Sequence, residues 1–67
     1  MLLREFLELL NKDMLIKVQH QELSGDNNLY TGISLNCPYW IAEYKLSSNN
    51  SEGWTIEDNY LIIQCQD

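Results

Sequence analysis

The stretch Met14-Leu15-Ile16-Lys17-Val18-Gln19-His20 decides the fold, because the period of the sequence changes there. Met14, Ile16, Val18 and His20 fall on one face of an extended chain, with Lys17 and Gln19 on the other. That alternation marks a half-buried strand. Immediately upstream the period is helical. At about 100° per residue, Leu2, Leu3, Phe6, Leu7, Leu9 and Leu10 share an arc of about 160°, and Arg4, Glu5, Glu8, Asn11 and Lys12 fill the rest. Arg4/Glu8 and Glu8/Lys12 lie at i,i+4, each pair able to add about 0.2–0.5 kcal/mol. No Gly, Pro or β-branched residue interrupts the run. The pattern predicts an amphipathic helix over residues 1–12, ending around Asn11-Lys12-Asp13. Its short, mixed-charge polar face suits packing on a sheet rather than lying on a membrane.

Downstream, residues 21–28 collect Ser24, Gly25, Asp26, Asn27 and Asn28, a turn composition. Leu29-Tyr30-Thr31-Gly32-Ile33-Ser34-Leu35 then alternates again, so the two runs read as an antiparallel hairpin. Gly32 inside the second strand signals a bulge, or the close approach of a neighbouring chain or aromatic ring. Asn36-Cys37-Pro38 stops the strand, and a proline at the start with Asn36 or Cys37 capping predicts one helical turn from Pro38 to about Ala42. Tyr44-Lys45-Leu46 is extended and residues 47–53 form a polar loop. Trp54-Thr55-Ile56-Glu57 and Tyr60-Leu61-Ile62-Ile63-Gln64-Cys65 form a closing hairpin, with Asp58-Asn59 as a two-residue turn that tolerates positive φ. The expectation is a single α+β domain over residues 1–67. An N-terminal amphipathic helix packs on a small antiparallel sheet of about four strands, with a short helical turn near Pro38.

Charge bounds the function. Ten carboxylates face four cationic side chains, a formal net charge of −6 in 67 residues. Such a surface repels phosphates and anionic lipid heads and attracts basic proteins. A chain of this length buries only about 60% of its unfolded surface, so its stability is marginal. Cys37 and Cys65 are too few for a secreted disulfide scaffold; packed thiols are expected, with a single bridge the alternative. Arg4, Glu5 and Glu8 break up the N-terminal leucines, so neither a signal peptide nor a membrane span is read there, and a reducing cytoplasm is the expected location. The tripeptide Asn49-Asn50-Ser51 fits a glycosylation acceptor but reads as polar loop in that setting.

Candidates for chemistry are sparse. His20 shares a strand face with Ile16 and Val18, which suits a buried, satisfied ring. A Cys–His nucleophile would need Cys37 or Cys65 brought to His20 and a third group orienting the ring. Two cysteines far apart and one histidine lack the close-pair spacing of structural zinc sites. Glu57 and Asp58 are adjacent and point to opposite strand faces, which does not suit paired acid/base work. Asp26 with Asn27 and Asn28 lacks the twelve-residue calcium-loop pattern, and no Gly-rich phosphate loop is present. The expectation is therefore no enzyme, no cofactor and no metal. Tyr30, Tyr39, Trp40, Tyr44, Trp54 and Tyr60 could stack on bases, but Arg4, Lys12, Lys17 and Lys45 are too few to line a nucleic-acid groove.

Protein recognition remains. Rigid aromatic rings give contact area and surrounding acids select a basic partner, which makes Tyr39, Trp40, Tyr44 and Trp54 the candidate partner-binding residues. Trp40, beside Pro38 and Tyr39, either anchors a partner or plugs the end of the sheet. A domain this small also gains from burying a strand edge against a copy of itself, so a homodimer is a further expectation.

The Leu-rich first helix, the strand around Ile16 and Val18, Leu29-Tyr30-Thr31-Gly32, the proline at position 38 and the final Leu61-Ile62-Ile63 together resemble small acidic proteins of phages and prophages in low-GC Gram-positive bacteria. The chain departs from that family's pattern in the insert at residues 47–53 and in its Trp and Tyr content. The resemblance implies a setting in which tiny acidic proteins inhibit host or defence proteins, and it transfers no functional residue. Two functions are thus expected: a non-enzymatic module that binds and modulates a larger protein or, alternatively, a DNA mimic that occupies a nucleic-acid channel. A small-ligand sponge or minimal enzyme would need a pocket lined by several polar groups.

Overall fold

The two alternating runs form strands β1 (Leu15–His20) and β2 (Asn28–Ile33), paired antiparallel from Leu15↔Ile33 to Val18↔Tyr30 in a computed structural model that describes residues 1–22 and 25–67. Ser24 of the connecting loop lies outside the described residues. The register slips between Val18 and Gln19, a bulge that lets Asn28 face Gln19. At Gly32 a Cβ would stand 2.7 Å from the Tyr30 hydroxyl, so the glycine admits an aromatic ring. That hydroxyl donates to the Ile33 carbonyl at 2.6 Å.

Strand β5 (Tyr60–Gln66) follows β4 (Thr55–Glu57) through Asp58 and Asn59, whose φ values of 51° and 71° make the expected left-handed two-residue turn. Leu61, Ile62 and Ile63 are consecutive and all buried, as in a strand flanked by neighbours along both edges. β5 accordingly sits inside the sheet, whose order is β2-β1-β5-β3 with β4 also on β5. Its pairing with β1 is parallel, from Ile16↔Leu61 to His20↔Cys65. The α+β class holds. The sheet has five strands and is mixed, where the local hairpins had suggested about four and wholly antiparallel.

Along its other edge β5 takes two short partners, β4 against Tyr60, Leu61 and Ile62, and β3 (Lys45–Leu46) against Cys65 and Gln66. The Asn50 side chain fills the gap between them. Its amide donates to the Gln64 carbonyl at 2.7 Å and accepts from the Gln64 N–H at 3.1 Å, as a backbone neighbour would. Asn50 is held there by a 3₁₀ segment, Ser48–Glu52, where a polar loop was expected. Ser47 caps that segment by accepting from the Asn49 N–H at 3.0 Å.

Helix α1 is shorter than the leucine pattern predicts: it spans Leu3–Leu7. Leu2 is committed to a bridge with Lys45, and no side chain of Leu2 can cap the helix, although the Glu5 carboxylate accepts its N–H at 2.8 Å. After Leu7 the chain tightens into i→i−3 bonds, Leu9 N–H to Phe6 O at 3.0 Å and Leu10 N–H to Leu7 O at 3.1 Å. Leu3, Phe6, Leu7 and Leu10 still reach the core, whereas Leu9, at the margin of the apolar arc, is exposed. Arg4 pairs with Glu43 at 4.0 Å rather than with Glu8. Helix α2 (Tyr39–Ala42) is the expected single turn, with Pro38 itself as the N-cap and no side-chain cap from Asn36 or Cys37.

The core lies on one face of the sheet. Ile16 and Val18 from β1 meet Leu61, Ile63 and Cys65 from β5, under Leu3 and Ile41 from the helices. The opposite face carries amide pairs, Gln64 to Gln19 at 2.7 Å and Gln21 to Gln66 at 2.8 Å, with Lys17 5.5 Å from the centre of the Tyr60 ring.

Candidate functional site

Strand parity sets the aromatic surface. Ile56 pairs with Leu61, whose side chain is in the core, so Ile56 and Trp54 point to the helix side of the sheet. There the Trp54 ring stacks on Phe6 of α1, with centroids 4.7 Å apart and planes within 10°. Trp54 remains 45% exposed, Ile56 67% and Leu9 74%, so the strip continues into solvent. In α2, Ile41 and Ala42 turn inward, and a single turn then leaves Tyr39 at 71% and Trp40 at 62% exposure. Trp40 therefore does not plug the sheet.

Of the four residues expected to bind a partner, Tyr39, Trp40 and Trp54 are at the surface. Tyr44 is half-buried and packs against the core, meeting the His20 ring edge-on at 5.1 Å. Trp54 finds its stacking partner in Phe6, a residue the sequence placed in the core. Ile56 was also missed, although its two-residue spacing from Trp54 would have signalled a shared face. All ten carboxylates are exposed. Among the described residues Arg4 pairs with Glu43 and Lys17 lies against the Tyr60 ring.

A second cluster forms around His20, which is buried as its strand face implied. Its Nδ1 receives the Glu22 N–H at 3.2 Å, which leaves Nε2 to carry the proton and donate to Asp67 Oδ1 at 3.0 Å. The parallel register also sets Cys65 opposite His20, so cysteine, histidine and carboxylate come together in a way that spacing alone did not reveal. Both ring nitrogens are already bonded. Burial first, then Asp67 and Cys37, pushes the Cys65 thiol up from 9.0 to about 11, away from the thiolate a nucleophile needs. Burial likewise raises Cys37, and the two cysteines are free thiols. His20, Glu22 and Asp67 offer ligand atoms within 4.8 Å of one another, two of them on exposed carboxylates. The geometry pins the ring and the chain end at Asp67.

Among the described residues no surface pocket is enclosed and no buried side-chain N or O lacks a partner. Among the described residues no helix is long and apolar enough to cross a membrane. Comparison with protein families, with characterised proteins and with solved structures finds no match to this chain.

Proposed function

We propose that this chain is a non-enzymatic protein-binding module, a phage-type inhibitor or modulator of a larger partner with a basic surface, acting in a reducing cytoplasm. The observation that carries the reading is the exposure of Tyr39, Trp40 and Trp54 on a chain whose ten carboxylates all face solvent. Aromatic rings supply anchoring area at low entropy cost, and the surrounding negative field speeds encounter with a positive partner.

The test is capture of partners from the native host lysate with the parent chain and with Trp40→Ala and Trp54→Ala, followed by kinetics on the captured protein. The reading expects association to slow between about 50 and about 500 mM salt, as screening shortens the reach of charge from about 14 to about 4 Å. It also expects one or both tryptophan variants to dissociate at least ten-fold faster with the fold intact. A DNA mimic behaves otherwise: duplex DNA competes, affinity falls steeply with salt, and neither tryptophan matters. Equal capture by parent and variants, with no salt effect, overturns the proposal.

A further inference from the structure

From residue 27 to residue 42 the chain has no charged side chain; all ten acids and all four cations lie elsewhere. That segment includes the whole of β2, which closes one end of the sheet. The two sides of the sheet are finished differently. On the far side β3 has two residues and is covered by the bridge from Leu2, and β4 has three residues and ends on Glu57. β2 offers six residues, Asn-Leu-Tyr-Thr-Gly-Ile, with no proline, lysine or carboxylate. Strand edges of monomeric proteins are usually blunted with those residues.

The ladder fixes which groups are free. Ser34 N–H bonds to Met14 O at 2.8 Å, and His20 N–H to Asn27 O at 2.9 Å. Antiparallel alternation from Ser34 back to Tyr30 turns the peptide groups of Tyr30 and Gly32 toward β1 and those of Thr31 and Ile33 outward, and the bulge at Leu29 ends the regular edge. Among the described residues no strand pairs with this outer edge. The Ile33 carbonyl already accepts the Tyr30 hydroxyl.

We propose that the outer edge of β2 is a self-association seam, where a second copy adds its own β2 antiparallel about a two-fold axis through Thr31. Thr31 then exchanges both backbone bonds with Thr31 of the other copy, and Tyr30 stands opposite Gly32. Charge selects this occupant. Two chains of −6 repel each other, so they can meet closely only where neither carries charge, and a two-fold antiparallel strand pair is self-complementary by construction. The seam is short, below the size of a stable interface of about 1,200 Å², so the dimer belongs to the weak, concentration-dependent class.

Salt separates this proposal from the partner reading, because screening −6 against −6 strengthens a dimer, whereas it slows encounter with a basic protein. Sedimentation equilibrium across a wide concentration range, at low and high salt, should show the mass rising from 7.9 kDa toward twice that value, more so at high salt. Thr31 is exposed, so Thr31→Glu and Thr31→Lys should fold normally by circular dichroism, and each alone should weaken association at least ten-fold. Mixing the two should restore it, because opposite charges then face each other across the axis. A parent chain that stays monomeric at every concentration and salt overturns the proposal. A dimer indifferent to both Thr31 variants overturns it equally, since the seam then lies elsewhere.

Discussion

Replacing Asn50 with alanine tests whether one side chain completes the sheet. β5 is paired through Ile62 by β4 and again from Cys65 by β3, and Gln64 between them relies on Asn50. The Gln64 carbonyl keeps a second donor, the Ser47 N–H at 3.0 Å, but its N–H has no other protein acceptor there. Truncation therefore removes two bonds to carbonyls that each keep a backbone donor, Gln64 and Ser47, together worth about 1 kcal/mol, and leaves a half-buried donor unpaired at about 1–3 kcal/mol, the lower end applying because water reaches this edge. The expected loss is about 2 kcal/mol. For a domain this small that lowers the melting temperature by roughly 8–16 °C. Asn50→Asp should cost at least as much at neutral pH, since a carboxylate then faces the Gln64 and Ser47 carbonyls. Asn49→Ala is the control: its side chain makes one exposed bond, to Gln21 Oε1, and its loss should shift melting by a few degrees at most. Thermal and urea melts followed by circular dichroism decide the matter. An Asn50→Ala chain that melts within about 2 °C of the parent would mean that this side chain does not complete the sheet.

Burial sets the alkaline limit. The Cys65 thiol keeps its proton to about 11 when folded but loses it near 9.0 when unfolded, so stability is full below pH 9 and falls as pH rises from 9 to 11. Urea melts should show that slope, and Cys65→Ala should flatten it; Cys37 and Tyr30, also raised, contribute what remains. Gly32→Ala forces the Tyr30 hydroxyl off the Ile33 carbonyl and should cost about 1–3 kcal/mol, with a double-mutant cycle against Tyr30→Phe showing coupling. No coupling would mean that the ring does not limit this site. Phe6→Ala removes the stacking partner of Trp54 and should cost about 2 kcal/mol with a red shift in tryptophan emission; unchanged emission would place Trp54 elsewhere.

Local chemistry made much of the fold legible. Asp58-Asn59 marked a positive-φ turn, Pro38 marked the start of α2, and Gly32 marked the approach of a ring, because each is a constraint felt within a few residues. The parallel β1–β5 register left no such trace. It joins residues at opposite ends of the sequence, and an apolar run such as Leu61-Ile62-Ile63 says that a strand is central without naming its neighbours. The meeting of His20, Cys65 and Asp67 followed from that register and was hidden with it. The helix was overestimated because periodicity reports which face is buried, and turns with i→i−3 bonds can bury the same leucines. On the surface, Trp40 and Trp54 are exposed as a partner-binding role requires, but nothing local told that Trp54 would lie on Phe6.

The parallel pair also governs when structure can appear. Both hairpins are local and close within microseconds, yet neither covers the apolar face of Ile16 and Val18. That face stays open until β5 docks beside β1, and closing so long a loop must be paid for before any of its contacts form. Folding should therefore be slow for a chain this short. During the wait β1 presents a second raw edge, the inner one, alongside the uncharged outer edge of β2. Misassembly through the β1 edge is thus confined to that interval, and whatever shortens it protects the chain.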